Sequence, residues 1–486
     1  MLRIKKLSLM SRLFFTIPLI LIFNFTLSFS QNLLLDKDLG DKAAREVEMS
    51  MGVITSTPSA DFVTAVGSNI IQHVRQPFQF NFKLIDSEIP NAFALPGGHI
   101  YITRGLLALV NTEDELASVI GHEIVHVLER HAVEQMKKTV FPSLLQVPGK
   151  LIGNIFNEDM GDMINAPVVL TSKLYLSSYS RGQESEADRI GIEMAANAGY
   201  DPFALADILT SITRAVEIYT REKEKKSYFD DHPFTPKRVE RINKKSQGLT
   251  IKERESIVSS KTALYEILQG LIFGENPAQG IFRDSEFFHP ELDFYLVFPK
   301  EWKSTNTPTA VAAFDEDNKA LILLSVMDTI MDTQVIANLV AEKINKEKKL
   351  SPVESKSIFL AGNPASYLVY KDPSYEDVNF VLAAWIQYGQ LIYQLIGLGS
   401  MNNEENFRSS IFSFRKLTED EKRSISVLKI YVAKANQGES LRDFCERTVN
   451  EWNPRFTAIA NGISENSVLK EGQLLKIVRK ELYSLK

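Results

Sequence analysis

The chain has 486 residues, with 55 lysines and arginines against 61 aspartates and glutamates, a formal charge of −6 and a single cysteine, Cys445. A chain this acidic is a poor nucleic-acid binder, and one cysteine excludes an intramolecular disulfide. The length allows about three domains with cores of their own.

At the N-terminus, Arg3, Lys5, Lys6 and Arg12 accompany an apolar run from Leu13 to Phe29, and Ser28-Phe29-Ser30 precede Gln31. This order predicts a secretory signal peptide over residues 1–30, with an uncleaved anchor helix as the competing reading. Cleavage would remove four positive charges and no negative ones, taking the formal charge from −6 to −10. No later segment has eighteen uncharged apolar residues, so no transmembrane span is expected after the signal is removed. The chain is expected to be exported, to a bacterial periplasm or peripherally to the outer membrane.

Residues 31–255 alternate helical patterns with a few strands and contain every candidate metal ligand. Phe80 to Ile85 alternates as a strand, and His99 to Thr103 alternates again after Pro96-Gly97-Gly98, which suggests a small sheet. From Thr112 to Met136 the spacing of Leu116, Val119, Ile120, Val127 and Leu128 predicts a largely buried helix, opened by a capping box of Thr112 and Glu115. His122-Glu123-Ile124-Val125-His126 lies in this helix. Its histidines stand one turn apart on one face, where two neutral imidazoles can hold a zinc ion while Glu123 accepts a proton from the attacking water. Between Val140 and Val169 the apolar sequence is broken by prolines and glycines, read either as a lid or as two short packed helices.

A zinc ion held by two histidines needs a third protein ligand from a separate element. Ser180 to Asp188, SRGQESEAD, offers Glu184 and Asp188 four apart on one helix face, one to bind metal and the other to accept a ring N–H from a ligating histidine. Ala187 is small enough to let two helices approach, and Glu186 points elsewhere. Tyr179 and Arg181 are candidates to bind an oxyanion, with Arg181 equally a salt-bridge partner. His131 has either a structural or an oxyanion role. The charge run from Arg221 to Lys226 is a solvated helix face.

Residues 256–285 form a linker or helical connection, with GENPAQG from Gly274 to Gly280 as its boundary. Strand patterns at Phe294 to Phe298, Ala320 to Val326, Ala365 to Tyr370, Val378 to Tyr388 and Leu391 to Leu398, with helices at Val335 to Lys348 and Glu404 to Phe412, predict a sandwich-like α+β domain over residues 286–418. It carries no cluster suggesting chemistry. Residues 425–486 read as a βααβ unit: a strand at Lys429 to Ala433, a helix opened by Gly438-Glu439-Ser440-Leu441, a second near Pro454 to Ala460, and a strand ending at Ile477.

Three segments together, NAFALPGGHIYITRGLL from Asn91 to Leu107, HEIVHVLERH from His122 to His131 and YSRGQESEADRIG from Tyr179 to Gly191, resemble the zinc metallopeptidase family of HtpX, the CAAX prenyl protease and BepA. The resemblance covers about residues 36–250. It implies a mainly α domain with a small sheet, His122, His126 and Glu184 as ligands of one zinc ion, Glu123 as general base and Asp188 as support for a ligand. It also sets His232, before Pro233 and upstream of Arg238, beside a feature of the family's periplasmic members, where such a histidine would cap the open metal position; the alternative is a packing histidine at a helix start. Lacking internal spans, the chain looks like the exported branch. The last sixty residues resemble a LysM module, which implies binding to peptidoglycan, although Glu-Ser stands after Gly438 where the pattern has Asp-Thr. The middle domain faintly resembles PsbP-like proteins.

The expected function is that of an exported zinc endopeptidase acting on misfolded or misassembled envelope proteins, with the strand His99 to Thr103 as the edge that binds substrate. The alternatives are an envelope chaperone with latent protease activity and a peptidoglycan-associated peptidase.

Overall fold

The computed structural model describes residues 35–485 apart from 75–78, 139–178, 223–231, 233–235, 318, 328, 330 and 373–377. The expected signal segment and the apolar stretch from Val140 to Val169 lie outside the described residues. The molecule is built of several units, each with helices packed on antiparallel or mixed sheets.

The first unit opens with a helix over residues 35–51 (α1). It continues through β1 (Val53–Ile54), α2 (Pro58–Ile71), β2 (Asn81–Ile85), β3 (Ala92–Leu95), β4 (His99–Thr103), α3 (Arg104–Leu109) and α4 (Glu113–Leu128). After α5 (His131–Lys138) come α6 (Arg181–Asn197), α7 (Ala204–Glu222) and α8 (Pro236–Ser246). The sheet order is β1-β2-β4-β3, with β4 parallel to β2 and antiparallel to β3. This corrects the expectation that His99–Thr103 is a sheet edge. Gly97 and Gly98, at φ 79° and 97°, reverse the chain so that Ala92–Leu95 returns along the outer side of β4, and a left-handed turn of that kind suits glycine.

Helix α4 forms where the apolar spacing predicts it. Leu116, Val119, Ile120, Ile124 and Val125 are fully buried, each contributing about 1.5–3 kcal/mol of apolar burial. The Thr112 hydroxyl accepts the N–H of Glu115 at 3.1 Å, but the returning half of the expected capping box is shifted. The Glu115 carboxylate accepts from the N–H of Asn111 at 2.6 Å, one residue earlier than the box requires.

The single helix expected from Thr112 to Met136 is in fact two. It stops at Leu128 because Arg130 takes a left-handed conformation, φ 58°, which ends a helix at a cost of about 1–2 kcal/mol for a residue with a Cβ. The Arg130 guanidinium offsets that cost by gripping Asp36 of α1, at 2.7 and 2.9 Å.

The segment read as a linker carries α9 (Lys261–Leu268) and β5 (Ile272–Phe273), and β5 is the third strand of a sheet ordered β18 (Leu474–Leu482), β17 (Ser426–Lys434), β5. Between them lies the middle unit. Its seven-stranded antiparallel sheet runs in the order β12 (Glu354–Leu360), β13 (Asn363–Lys371), β14 (Phe380–Tyr388), β15 (Leu391–Gly399), β11 (Leu321–Met327), β10 (Ala310–Phe314), β9 (Lys303–Asn306). One face packs under α10 (Thr333–Lys348), and the other forms a second core with α11 (Glu404–Ile411) and a four-stranded sheet. The last unit runs β17 (Ser426–Lys434), α13 (Leu441–Thr448), α14 (Pro454–Ala460), β18 (Leu474–Leu482), after the short α12 (Glu419–Ser424). Among the described residues, no helix is long and apolar enough to cross a membrane.

Candidate metal centre

Helices α4 and α6 pack face to face at two glycines. A Cβ on Gly191 would stand 3.0 Å from the backbone N of His122, and one on Gly121 3.1 Å from the carbonyl O of Gly191. Ala187 is also fully buried, but it is these glycines, unremarked in the sequence, that let the backbones touch. Helix α6 starts at Ser180, whose side chain and that of Gln183 form a reciprocal capping box. This sets Glu184 and Asp188 against the histidine face of α4.

Four side chains converge there: His122, His126, Glu184 and His232, all buried, with donor atoms within 4.8 Å of one another. His122 Nε2 lies 3.0 Å from His126 Nε2 and 3.4 Å from His232 Nδ1. Glu184 Oε1 lies 3.4 Å from His126 Nε2 and 2.9 Å from His232 Nδ1, and Glu184 Oε2 is 3.8 Å from His122 Nε2. Four tetrahedral donors about 2.0–2.1 Å from a zinc ion stand about 3.3 Å apart. The observed separations bracket that value, so the residues fit a metal ion.

The outer nitrogens of both helix histidines are engaged. His122 Nδ1 faces Asp188 at 3.2 Å, and His126 Nδ1 faces His131 Nδ1 at 3.1 Å, whose own Nε2 is 3.4 Å from Glu186. The break at Arg130 brings His131 back onto His126; a continuous helix would have turned it to another face. Tyr179 stacks on the His126 ring with centroids 3.8 Å apart. Arg181 is exposed on the first turn of α6 and is not among the groups that meet at the cluster.

Arg238 of α8, noted in the sequence only beside His232, is 1% exposed. It grips Asp188 with two bonds of 2.8 Å and Glu184 Oε2 at 2.6 Å. Burial opposes ionisation of Glu184, but His232 and Arg238 outweigh it and hold this carboxyl well below its usual range. Asp188 is lowered likewise, burial being overcome by Arg238 and the bond to His122. Burial disfavours charge on His122, yet its bonds to Asp188 and Glu184 push it up to about 9. His126 falls well below the normal range, chiefly through burial.

Glu123 is different. It is fully buried, neither carboxylate oxygen accepts a hydrogen bond from the described residues, and desolvation raises its pKa. His232 Nε2 lies 3.6 Å from it.

A histidine pair one helical turn apart, a glutamate between them and a carboxylate from a second helix define the centre of a zinc metalloendopeptidase. Residues 60–246 match the profile described as Peptidase family M48. Relatives include the beta-barrel assembly-enhancing protease of Escherichia coli K12, 27% identical over 205 residues, 41% of each chain. The metalloprotease LoiP of the same organism is 28% identical over 44% of this chain and 82% of its own. The mitochondrial metalloendopeptidase OMA1 of Arabidopsis thaliana is 37% identical over 24% of this chain and 23% of its own. The chain spans about two fifths of the length of the first of these. Among solved structures, cyanobacterial PsbP from Synechocystis aligns at 10% identity over 30% of this chain and 98% of its own, with a TM-score of 0.23; at that score the likeness says nothing about the middle unit.

Proposed function

We propose that the chain is an exported, zinc-dependent endopeptidase that hydrolyses peptide bonds of protein substrates in a bacterial envelope. The observation that carries this reading is the pairing of a complete donor set with a buried carboxylate, Glu123, that takes no hydrogen bond from the described residues. His122, His126 and Glu184 would hold zinc, which supplies Lewis acidity toward a carbonyl oxygen and the attacking water. Glu123 takes the proton of that water as the new C–O bond forms, and delivers it to the amine as the C–N bond breaks. Asp188 accepts the Nδ1–H of His122 and so turns Nε2 toward the centre. His131, oriented by Glu186, does the same for His126. Arg238 holds both carboxylates of α6 in place. Since β4 is interior, β3 is the edge to which a substrate strand would add, and such backbone pairing tolerates varied sequences, as suits misfolded or misassembled clients.

Purified chain is expected to contain about one zinc per molecule and to cleave an unfolded protein such as casein in a chelator-sensitive manner. Absence of bound zinc after metal loading would overturn the assignment. Incubation with purified sacculi distinguishes protein substrates from peptidoglycan.

A second part of the reading concerns His232. Its Nδ1 completes the donor set, and it thus stands where a water must enter. We propose that the resting chain is a blocked peptidase, and that in this state it acts as a holder of clients. His232→Ala should raise the initial rate of casein cleavage about tenfold or more at equal zinc content. An unchanged or lower rate would make His232 an ordinary structural contact.

A further inference from the structure

The C-terminal unit is not appended to the peptidase but shares its core. In β17 and β18 alternate residues face two ways. Tyr431, Ala433, Leu475 and Ile477 line the unit's own core, whereas Leu428, Ile430, Val432, Leu474 and Val478 join the core around α4. Lys476 lies on this second face and is 0% exposed.

A fully buried lysine needs partners, and those of Lys476 belong to the peptidase. Its ammonium donates to the carbonyl oxygens of Ala108 at 2.8 Å and Val110 at 2.6 Å. These carbonyls end α3, where a cation is favoured by the exposed oxygens and the helix dipole. The residues that follow are Asn111 and Thr112, from which α4 starts. Glu115, 7% exposed in the first turn of α4, bonds the N–H of Asn111. Burial pushes the Glu115 carboxyl up and the Lys476 ammonium down, and the attraction between them opposes both shifts. On its own side, Lys476 is fixed by Asn461, which accepts its backbone N–H at 2.7 Å and donates to its carbonyl at 2.9 Å; Tyr265 of α9 also bonds Asn461.

We infer that Lys476 is a positioning residue for the metal-binding helix: through it the C-terminal unit holds the turn at Asn111-Thr112 from which α4 begins, ten residues before His122, so that the metal centre forms only with that unit docked. The inference rests on the metallopeptidase reading of α4. It gives the last sixty residues a task within the chain that needs no glycan.

The test uses the full chain. Zinc affinity is measured by competition with a chromophoric chelator for Lys476→Met and for Leu395→Ala, a core substitution in the middle unit that destabilises the chain without touching α4. Lys476→Met should bind zinc at least tenfold more weakly than the parent and Leu395→Ala within about twofold of it. A Lys476→Met chain whose affinity stays within twofold of the parent overturns the inference, as does equal weakening in both variants.

Hydrogen exchange of the unmodified chain in a denaturant series decides the matter even if Lys476→Met does not fold. The amides of Leu116 to His122 and of Leu475 to Val478 should open in one step with a common denaturant dependence, and independent opening overturns the proposal. Should the unmodified chain bind no zinc, the metallopeptidase reading fails by itself, and the exchange experiment still decides whether the unit and α4 are coupled.

Discussion

Glu123→Gln is expected to lower peptide-bond hydrolysis by about 10²–10⁴-fold, the range for loss of a general acid–base group, while zinc stays near one per chain. The amide keeps the shape of the carboxylate but cannot accept a proton from water. Metal content should hold because Glu123 is not one of the four convergent donors. Stability should hold or rise, since a buried carboxylate that takes no hydrogen bond from the described residues costs more to bury than a neutral amide. Activity falling while the denaturation midpoint holds or rises separates a catalytic group from a structural one, whose loss would lower both. If the parent is too slow to measure, the comparison is made in the His232→Ala background. A Glu123→Gln chain within tenfold of its parent's rate would remove Glu123 from the mechanism.

The parts of this site that sequence makes legible are those repeated within one helix. The one-turn spacing of His122 and His126, and of Glu184 and Asp188, follows from helical periodicity, and both pairs face the centre. What escaped depends on contacts between segments far apart in the chain. The stop at Arg130 is a left-handed residue without a glycine to signal it, made tolerable by Asp36 nearly a hundred residues earlier. The strand Ala92–Leu95 is too short and too uniformly buried to alternate, so its place outside β4 could not be read from period.

The contact of Gly121 with Gly191 leaves a trace in sequence, a glycine within each of two helical patterns, where glycine is disfavoured unless packing requires it. Lys476 carried the opposite signal. A lysine in a strand reads as a solvent-facing residue, and its burial follows only from docking onto α3 and α4. The middle unit's central strands were recognisable by their apolar runs, whereas β12 (Glu354–Leu360), mostly exposed at the sheet's rim, lacks such a run and was missed.

The strongest structural effect is expected at Arg238, and it should depend on metal. Arg238 neutralises two buried carboxylates at once, Asp188 through a two-pronged contact and Glu184 through its remaining nitrogen. Arg238→Met preserves much of the apolar stem but strands both negative charges, and breaking a buried pair in this way costs about 3–5 kcal/mol. A bound divalent cation supplies positive charge at Glu184 and, through His122, opposite Asp188. The loss should therefore be nearly full in chelator-treated protein and substantially smaller in the zinc-loaded form. Denaturant midpoints of parent and variant, each with zinc and with chelator, give the four numbers required. A loss of equal size in both states would mean that Arg238 matters through its packing alone, whereas a loss concentrated in the metal-free state identifies it as the charge that keeps Glu184 and Asp188 together before metal arrives.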